Sequence, residues 1–168
     1  MSEVLQPTFI GRSAVLEGIP DHPAVKATLN WNPTALVDAK FDLGELTLTV
    51  VPEEIRGAAT AMRAAGYNFF EDMTAVDWFP SSPRFQLSYH ILSFTNKERI
   101  RLRVLLEGDS PTVESVTPVW PSANFYEREV FDLFGITFDG HPNLRRILMP
   151  DDWQGHPLRK DYPVEGYR

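Results

Sequence analysis

Apolar and polar positions alternate along much of the first two-thirds of the chain. Glu45–Val51 (ELTLTVV) is β-branched and alternating, which predicts a strand with Leu46, Leu48 and Val50 on one face, ended by Pro52. The next stretch, PEEIRGAATAMRAAG, changes period. Ile55, Ala58, Ala59, Met62 and Ala65 recur at helical spacing, Glu53 and Glu54 suit the positive end of a helix, and Gly66 is its stop. Three further strands are predicted over 67–78, 84–94 and 99–106, with Pro80-Ser81-Ser82-Pro83 and Thr95-Asn96-Lys97-Glu98 as turns. Connections this short require antiparallel neighbours. Phe85, Leu87, Tyr89, Ile91 and Ser93 alternate with Gln86, Ser88, His90 and Leu92, giving one buried face and one wet face. A helix follows over 124–134, with Asn124 and Glu127 in capping-box spacing and Gly135 as its end; a short helix is also predicted over 21–31, with Pro23 in its first turn. The predicted fold is α+β: an antiparallel four-stranded sheet with packed helices, in the order βα-βββ-α.

After Gly135 the pattern breaks down. Proline lacks an N–H and restricts the residue before it, so Pro142, Pro150, Pro157 and Pro163 exclude a long helix or a central strand. The tail reads as an extended strap carrying Phe138, Leu144, Ile147, Leu148, Met149, Trp153 and Leu158. One unit occurs twice, Gly140-His141-Pro142-Asn143-Leu144-Arg145-Arg146 and Gly155-His156-Pro157-Leu158-Arg159-Lys160, each time placing a leucine and a basic pair after a Gly-His-Pro turn. Greasy anchors beside guanidinium groups suit a partner-binding arm. The chain therefore divides into an N-terminal segment (1–44) with a short helix, an α+β core domain (45–135) and a strap (136–168).

Composition narrows the chemistry. The 168 residues contain no cysteine, which removes disulfides, thiol nucleophiles and the usual ligands of iron–sulfur clusters. Net charge is −7, against the basic face that nucleic-acid binding needs. Residues 1–123 hold 10 Lys+Arg and 15 Asp+Glu, and residues 124–168 hold 6 and 8, so the strap's basic pairs are local features of an acidic chain. No run approaches the roughly 20 apolar residues of a spanning helix. The N-terminus lacks the charged-then-apolar pattern of a secretion signal, which points to a soluble or peripheral protein.

On the 124–134 helix, Tyr126, Val130, Phe131, Leu133 and Phe134 form a wide apolar arc, and Glu127 falls inside it. A carboxylate there either turns to a solvated rim or pairs with a strap arginine, Arg145 or Arg146. Arg128 and Asp132 stand at i,i+4 spacing on the polar side, where an exposed pair contributes a few tenths of a kcal/mol. His141 and His156, with Asp139, Asp151 and Asp152 nearby, can be read as metal ligands or as turn residues bonded to backbone. Both precede proline and lack metal-site spacing, which favours the turn. Glu127 and Glu129 lack a nucleophile, pocket or phosphate loop to act with as acid–base catalysts.

Glu127-Arg128-Glu129-x-x-Asp132-Leu133-Phe134-Gly135-Ile136, then Gly140-His141-Pro142-x-Leu144-Arg145-Arg146-Ile147-Leu148-x-Pro150, then Gly155-His156-Pro157-Leu158-Arg159-Lys160-Asp161-Tyr162 closely resembles the signature of the thirty-kilodalton subunit (the C-subunit) of proton-pumping NADH:quinone oxidoreductase, respiratory complex I. The resemblance covers about residues 45–163. It implies a peripheral-arm subunit, on the cytoplasmic face of the bacterial inner membrane, that docks on the large quinone-site subunit (the D-subunit) and near the ferredoxin-like cluster subunit. It also implies no cofactor in this chain, with FMN, iron–sulfur clusters and quinone on partner subunits. Glu127, Arg128, His141, Arg145, Arg146, Trp153, His156, Arg159 and Lys160 are the expected partner-interface residues; no catalytic residue is expected. Alternatives are the equivalent subunit of a membrane-bound [NiFe] hydrogenase or formate hydrogenlyase, which resembles the same domain, and a free-standing adaptor.

Overall fold

The computed structural model describes Ile19 and residues 21–167. The N-terminal signal reading and most of the weakly patterned first 20 residues thus lie outside the described part. Helix α1 (Pro23–Trp31) is followed by β1 (Leu36–Asp42), β2 (Glu45–Val50), a 3-10 turn (Pro52–Glu54) and α2 (Ile55–Ala64). Then come β3 (Phe69–Asp77), β4 (Phe85–Ser93), β5 (Glu98–Leu106), β6 (Thr112–Glu114), α3 (Ala123–Phe134) and β7 (Thr137–Asp139). The α+β class holds.

The main sheet has five strands in the order β1-β2-β5-β4-β3, not four. It is also not wholly antiparallel, because β2 and β5 run parallel, Leu46 opposite Ile100 and Val50 opposite Val104. The added strand, β1, comes from the segment expected to precede the core. Asp42 and Glu45 face each other across a two-residue loop, and both loop residues have positive φ, 50° at Leu43 and 81° at Gly44. That is the backbone of a tight hairpin turn, usually announced by Asn-Gly or Asp-Gly; Leu43 removes the signal.

Alternation then sets the layers. Leu46, Leu48, Leu87, Tyr89, Ile91, Ile100, Leu102 and Val104 are fully buried or nearly so on one face and share one apolar core with Ile55, Ala58, Ala59 and Met62 of α2. Each such aliphatic side chain contributes roughly 1.5–3 kcal/mol of transfer free energy. The opposite face is polar. Arg99, Arg101 and Arg103 line β5 there and hydrogen-bond Glu45, His90 and Thr49. Helices α1 and α2 approach so closely at Gly57 that an added Cβ would overlap the Trp31 ring.

The strap does not begin as a free arm. Ile136 and Phe138 are buried, and β7 pairs in parallel with β6.

Candidate functional site

Helix α3 and the strap form one construction. The helix ends as its sequence requires: Gly135 adopts φ 74°, and its N–H donates to Phe131 C=O at 2.9 Å. Its start differs from the capping box. Ser122, not Asn124, is the N-cap and makes no side-chain cap bond, and the Glu127 carboxylate turns sideways instead of back to the helix start. Glu127 is completely buried; it accepts from Val116 N–H at 2.7 Å, Ser115 hydroxyl at 2.6 Å and Thr117 hydroxyl at 3.1 Å. Neither the solvated rim nor the pairing with Arg145 or Arg146 is realised. Burial pushes the Glu127 carboxyl above its ordinary value, and these donors, with His141 nearby, offset part of that rise.

Asp132 is the second buried carboxylate of α3. One of its oxygens, Oδ2, accepts three successive strap N–H groups, from Ile147 at 3.0 Å, Leu148 at 2.8 Å and Met149 at 2.9 Å. The other, Oδ1, takes Arg146 Nη1 at 2.6 Å. Burial alone pushes this carboxyl up, but the three N–H groups and Arg146 outweigh it and hold Asp132 below the usual carboxylate value. Arg128, its expected i,i+4 partner, instead donates to the carbonyls of Arg145 and Arg146 at 3.2 and 3.1 Å. The helix thus grips the strap backbone through an anion and a cation one turn apart.

The two Gly-His-Pro turns close on the two ends of α3. His141 Nδ1 accepts from Asn143 N–H at 3.0 Å, which leaves Nε2 to donate to Asn124 C=O at 3.2 Å near the helix start. His156 Nδ1 donates to Asp132 C=O at 2.9 Å near its end. A Cβ on Gly135 would lie 2.6 Å from the His156 ring, so this glycine is fixed by both its φ and the approach of the strap. Both histidines are therefore backbone latches, and no group of three or more possible metal-ligating side chains occurs among the described residues.

The basic residues divide. Arg146 also donates to the carbonyls of Trp153 and Gly155, both at 3.0 Å, which bends residues 146–155 into a loop. Arg159 donates to Asp161 at 3.2 Å and to Asp109 C=O at 2.8 Å. Arg145 and Lys160 have exposed side chains; the Lys160 N–H reaches Asp77 Oδ2 at 2.9 Å. Most of the expected interface cations thus work within the chain. What they hold outward is apolar: Ile147, Leu148, Trp153 and Leu158 are 37%, 56%, 40% and 51% exposed.

Sequence reasoning passed over three elements of this site. Ser115 and Thr117 lie in an uninformative polar stretch, Asp132 had a plausible local partner in Arg128, and the Asp77–Arg84 pair carries no motif. Arg84 is itself buried and grips Asp77 with Nε and Nη2 at 3.1 and 3.0 Å, Asp109 at 2.6 Å and Asp161 at 2.9 Å.

The family model described as respiratory-chain NADH dehydrogenase, 30 Kd subunit, matches residues 48–168. The NADH-quinone oxidoreductase C-subunit of Roseiflexus castenholzii is 47% identical over 148 residues, covering 86% of this chain and 85% of the relative. The C-subunit of Citrifermentans bemidjiense is 49% identical over 133 residues, covering 79% and 83%. Among solved structures, the trypsin-resistant fragment of Nqo5 superposes with a TM-score of 0.58 at 35% identity, covering 62% of this chain and 86% of the fragment. A chain of the membrane-bound sulfane sulfur reductase, an archaeal respiratory membrane complex, gives 0.71 at 27% identity, covering 83% and 84%. With its signature residues assembled around α3 and the family match spanning most of its length, the chain belongs to the 30 kDa subunit family of respiratory-chain NADH dehydrogenase, the family of the NADH-quinone oxidoreductase C-subunits.

Proposed function

We propose that this chain is an architectural, cofactor-free subunit of the peripheral arm of bacterial complex I. In this reading it supports electron transfer from NADH to quinone, coupled to proton translocation, by docking through its strap on the large quinone-site subunit and beside the ferredoxin-like cluster subunit. Its place is the cytoplasmic face of the inner membrane, and FMN, iron–sulfur clusters and quinone belong to partners. The observation that carries the reading is the Asp132 hub. Buried polar groups fix an irregular segment so that its apolar side chains point away from the core, an arrangement with no use in an isolated domain but suited to an interface. No helix among the described residues is long and apolar enough to cross a membrane.

A second reading, the equivalent subunit of another membrane-bound respiratory complex, is favoured by the 0.71 superposition on the sulfane sulfur reductase chain. The higher identities, 47% and 49%, are to NADH-quinone oxidoreductase subunits, so complex I comes first. Affinity purification of the tagged full chain from its native membranes tests both. Recovery of a flavin-containing, NADH-oxidising subunit with a quinone-site subunit supports the proposal; recovery of a respiratory complex without NADH oxidation supports the second reading; recovery of the chain alone rejects both.

A further inference from the structure

The β3–β4 turn carries two aromatic side chains that the strap leaves exposed. Its Trp78 and Phe79 are 51% and 50% exposed, although both follow the buried Asp77 directly. We propose that Trp78, Phe79 and Leu158 form one composite apolar surface, and that it seats in an apolar pocket on the same partner subunit that takes the strap. This inference rests on the docking role proposed above.

Continuity comes from Asp77. Its Oδ1 accepts Phe79 N–H at 3.0 Å and its Oδ2 accepts Lys160 N–H at 2.9 Å, so one buried carboxylate sets the turn beside the strap. Arg84 reinforces the join. Its guanidinium binds Asp77 and, at 2.9 Å, Asp161 of the strap, while lying 4.9 Å from the ring centroids of both Phe79 and Phe85. Phe79 is thereby stacked from below and half open above, so that little rotamer freedom remains to be lost on docking. Backbone bonds complete the turn, Trp78 N–H to Arg84 C=O at 2.7 Å and Ser81 N–H to Trp78 C=O at 2.8 Å. Rigid, half-buried aromatic side chains are the residue type that dominates interface free energy.

Charge selects the partner. Asp109 and Asp161 are both paired with Arg84, Asp161 also with Arg159, and the exposed Lys160 adjoins them, so the rim of the aromatic surface is charge-balanced and the surface itself is apolar. A chain of net charge −7 is repelled by an anionic lipid surface, which favours a protein partner over the membrane.

The test uses the full chain in the whole complex. In W78A/F79A the assembled complex on a native gel is expected to fall about tenfold or more. A photoreactive benzoylphenylalanine at Phe79 and another at Leu158 are expected to capture the same subunit. That aromatic replacement keeps a ring over Arg84, so the cross-link decides the matter even where the double alanine variant unfolds. Capture of different subunits from the two positions, capture of lipid, flotation of the full chain with phosphatidylglycerol vesicles, or a stable W78A/F79A that assembles normally would each overturn the inference. L148D/W153A separates this from the docking role: loss of complex there with normal assembly of W78A/F79A defeats the composite surface alone, whereas normal assembly of both defeats the docking role as well.

Discussion

Replacing Asp132 by asparagine keeps the side-chain volume and removes the charge on which the strap converges. Either amide orientation fails. With Oδ1 toward Ile147, Leu148 and Met149, the Nδ2 donor faces the Arg146 Nη1 donor across the 2.6 Å contact; with the amide reversed, Nδ2 meets three N–H donors. Removing one partner of a buried ion pair costs about 3–5 kcal/mol, but Arg146 keeps the carbonyls of Trp153 and Gly155, so about 2–4 kcal/mol is expected. That loss falls on the strap rather than the core, since the lost partners are strap atoms and the sheet's apolar contacts are untouched. At about 1.4 kcal/mol per tenfold, the docked strap loses a factor of about 30 to 700 in population relative to the released one. Hydrogen exchange reads this directly. In D132N the amides of Ile147, Leu148 and Met149 are expected to lose protection by at least about tenfold while those of β4 and β5 keep theirs. Wild-type protection at those three amides would refute the hub, and equal loss across the sheet would show that the carboxylate supports the whole fold instead.

Three other outcomes follow from the buried groups. Glu127→Ala leaves Val116 N–H and two hydroxyls without their acceptor and is expected to cost about 3 kcal/mol in urea unfolding, whereas Glu127→Gln keeps the shape and is expected to stay within about 1 kcal/mol. Because burial raises the Glu127 carboxyl, its contribution is fullest below its unfolded value and falls as pH rises through the folded one, and the Gln variant should lack that slope. Gly135→Ala meets both a φ of 74° and the His156 ring, and is expected to lower stability by about 1–2 kcal/mol or more, with the His156 imidazole signals displaced in NMR spectra. Asp77 and Asp132 are buried, which raises them, but Arg84, Arg146 and backbone N–H groups bring both below the ordinary aspartate value. Their stabilisation is therefore present above the unfolded value and lost as pH falls through the folded one, so strap amides should lose exchange protection below about pH 4, before the sheet does.

How much of this was legible in the residues follows from which interactions are local. The alternation of Leu46, Leu48 and Val50 and of Phe85 through Ile91 reports a face, and the structure buries that face. Gly135 reports a helix end because only a left-handed residue closes it there. Strand β1 was illegible: a register irregularity between Leu36 and Asp38 interrupts its period, and Leu43 occupies the turn position where Asn would have marked the hairpin. The parallel β2–β5 pair joins residues far apart in the chain, Leu46 to Ile100, and no local pattern encodes it. The helical arc correctly put Glu127 on the apolar side, yet its partners are donors in the preceding loop rather than strap cations. Spacing rules paired Asp132 with Arg128, while the cation that reaches it, Arg146, lies 14 residues on. The strap's prolines announced extended chain, but not that Arg146, Arg159 and both of its histidines hold their own chain together.

If the strap's outward apolar side chains dock this subunit into its complex and take no part in the chemistry, assembly and turnover must separate when those side chains are changed. L148D/W153A in the full chain puts this to the test, with assembled complex measured on a native gel and NADH:quinone turnover measured per assembled complex. Leu148 and Trp153 are 56% and 40% exposed, so the chain itself should remain folded. Complex is expected to fall at least about tenfold, with turnover per remaining complex unchanged. Normal amounts of complex, whether turnover is retained or lost, would show that the strap does not dock this subunit.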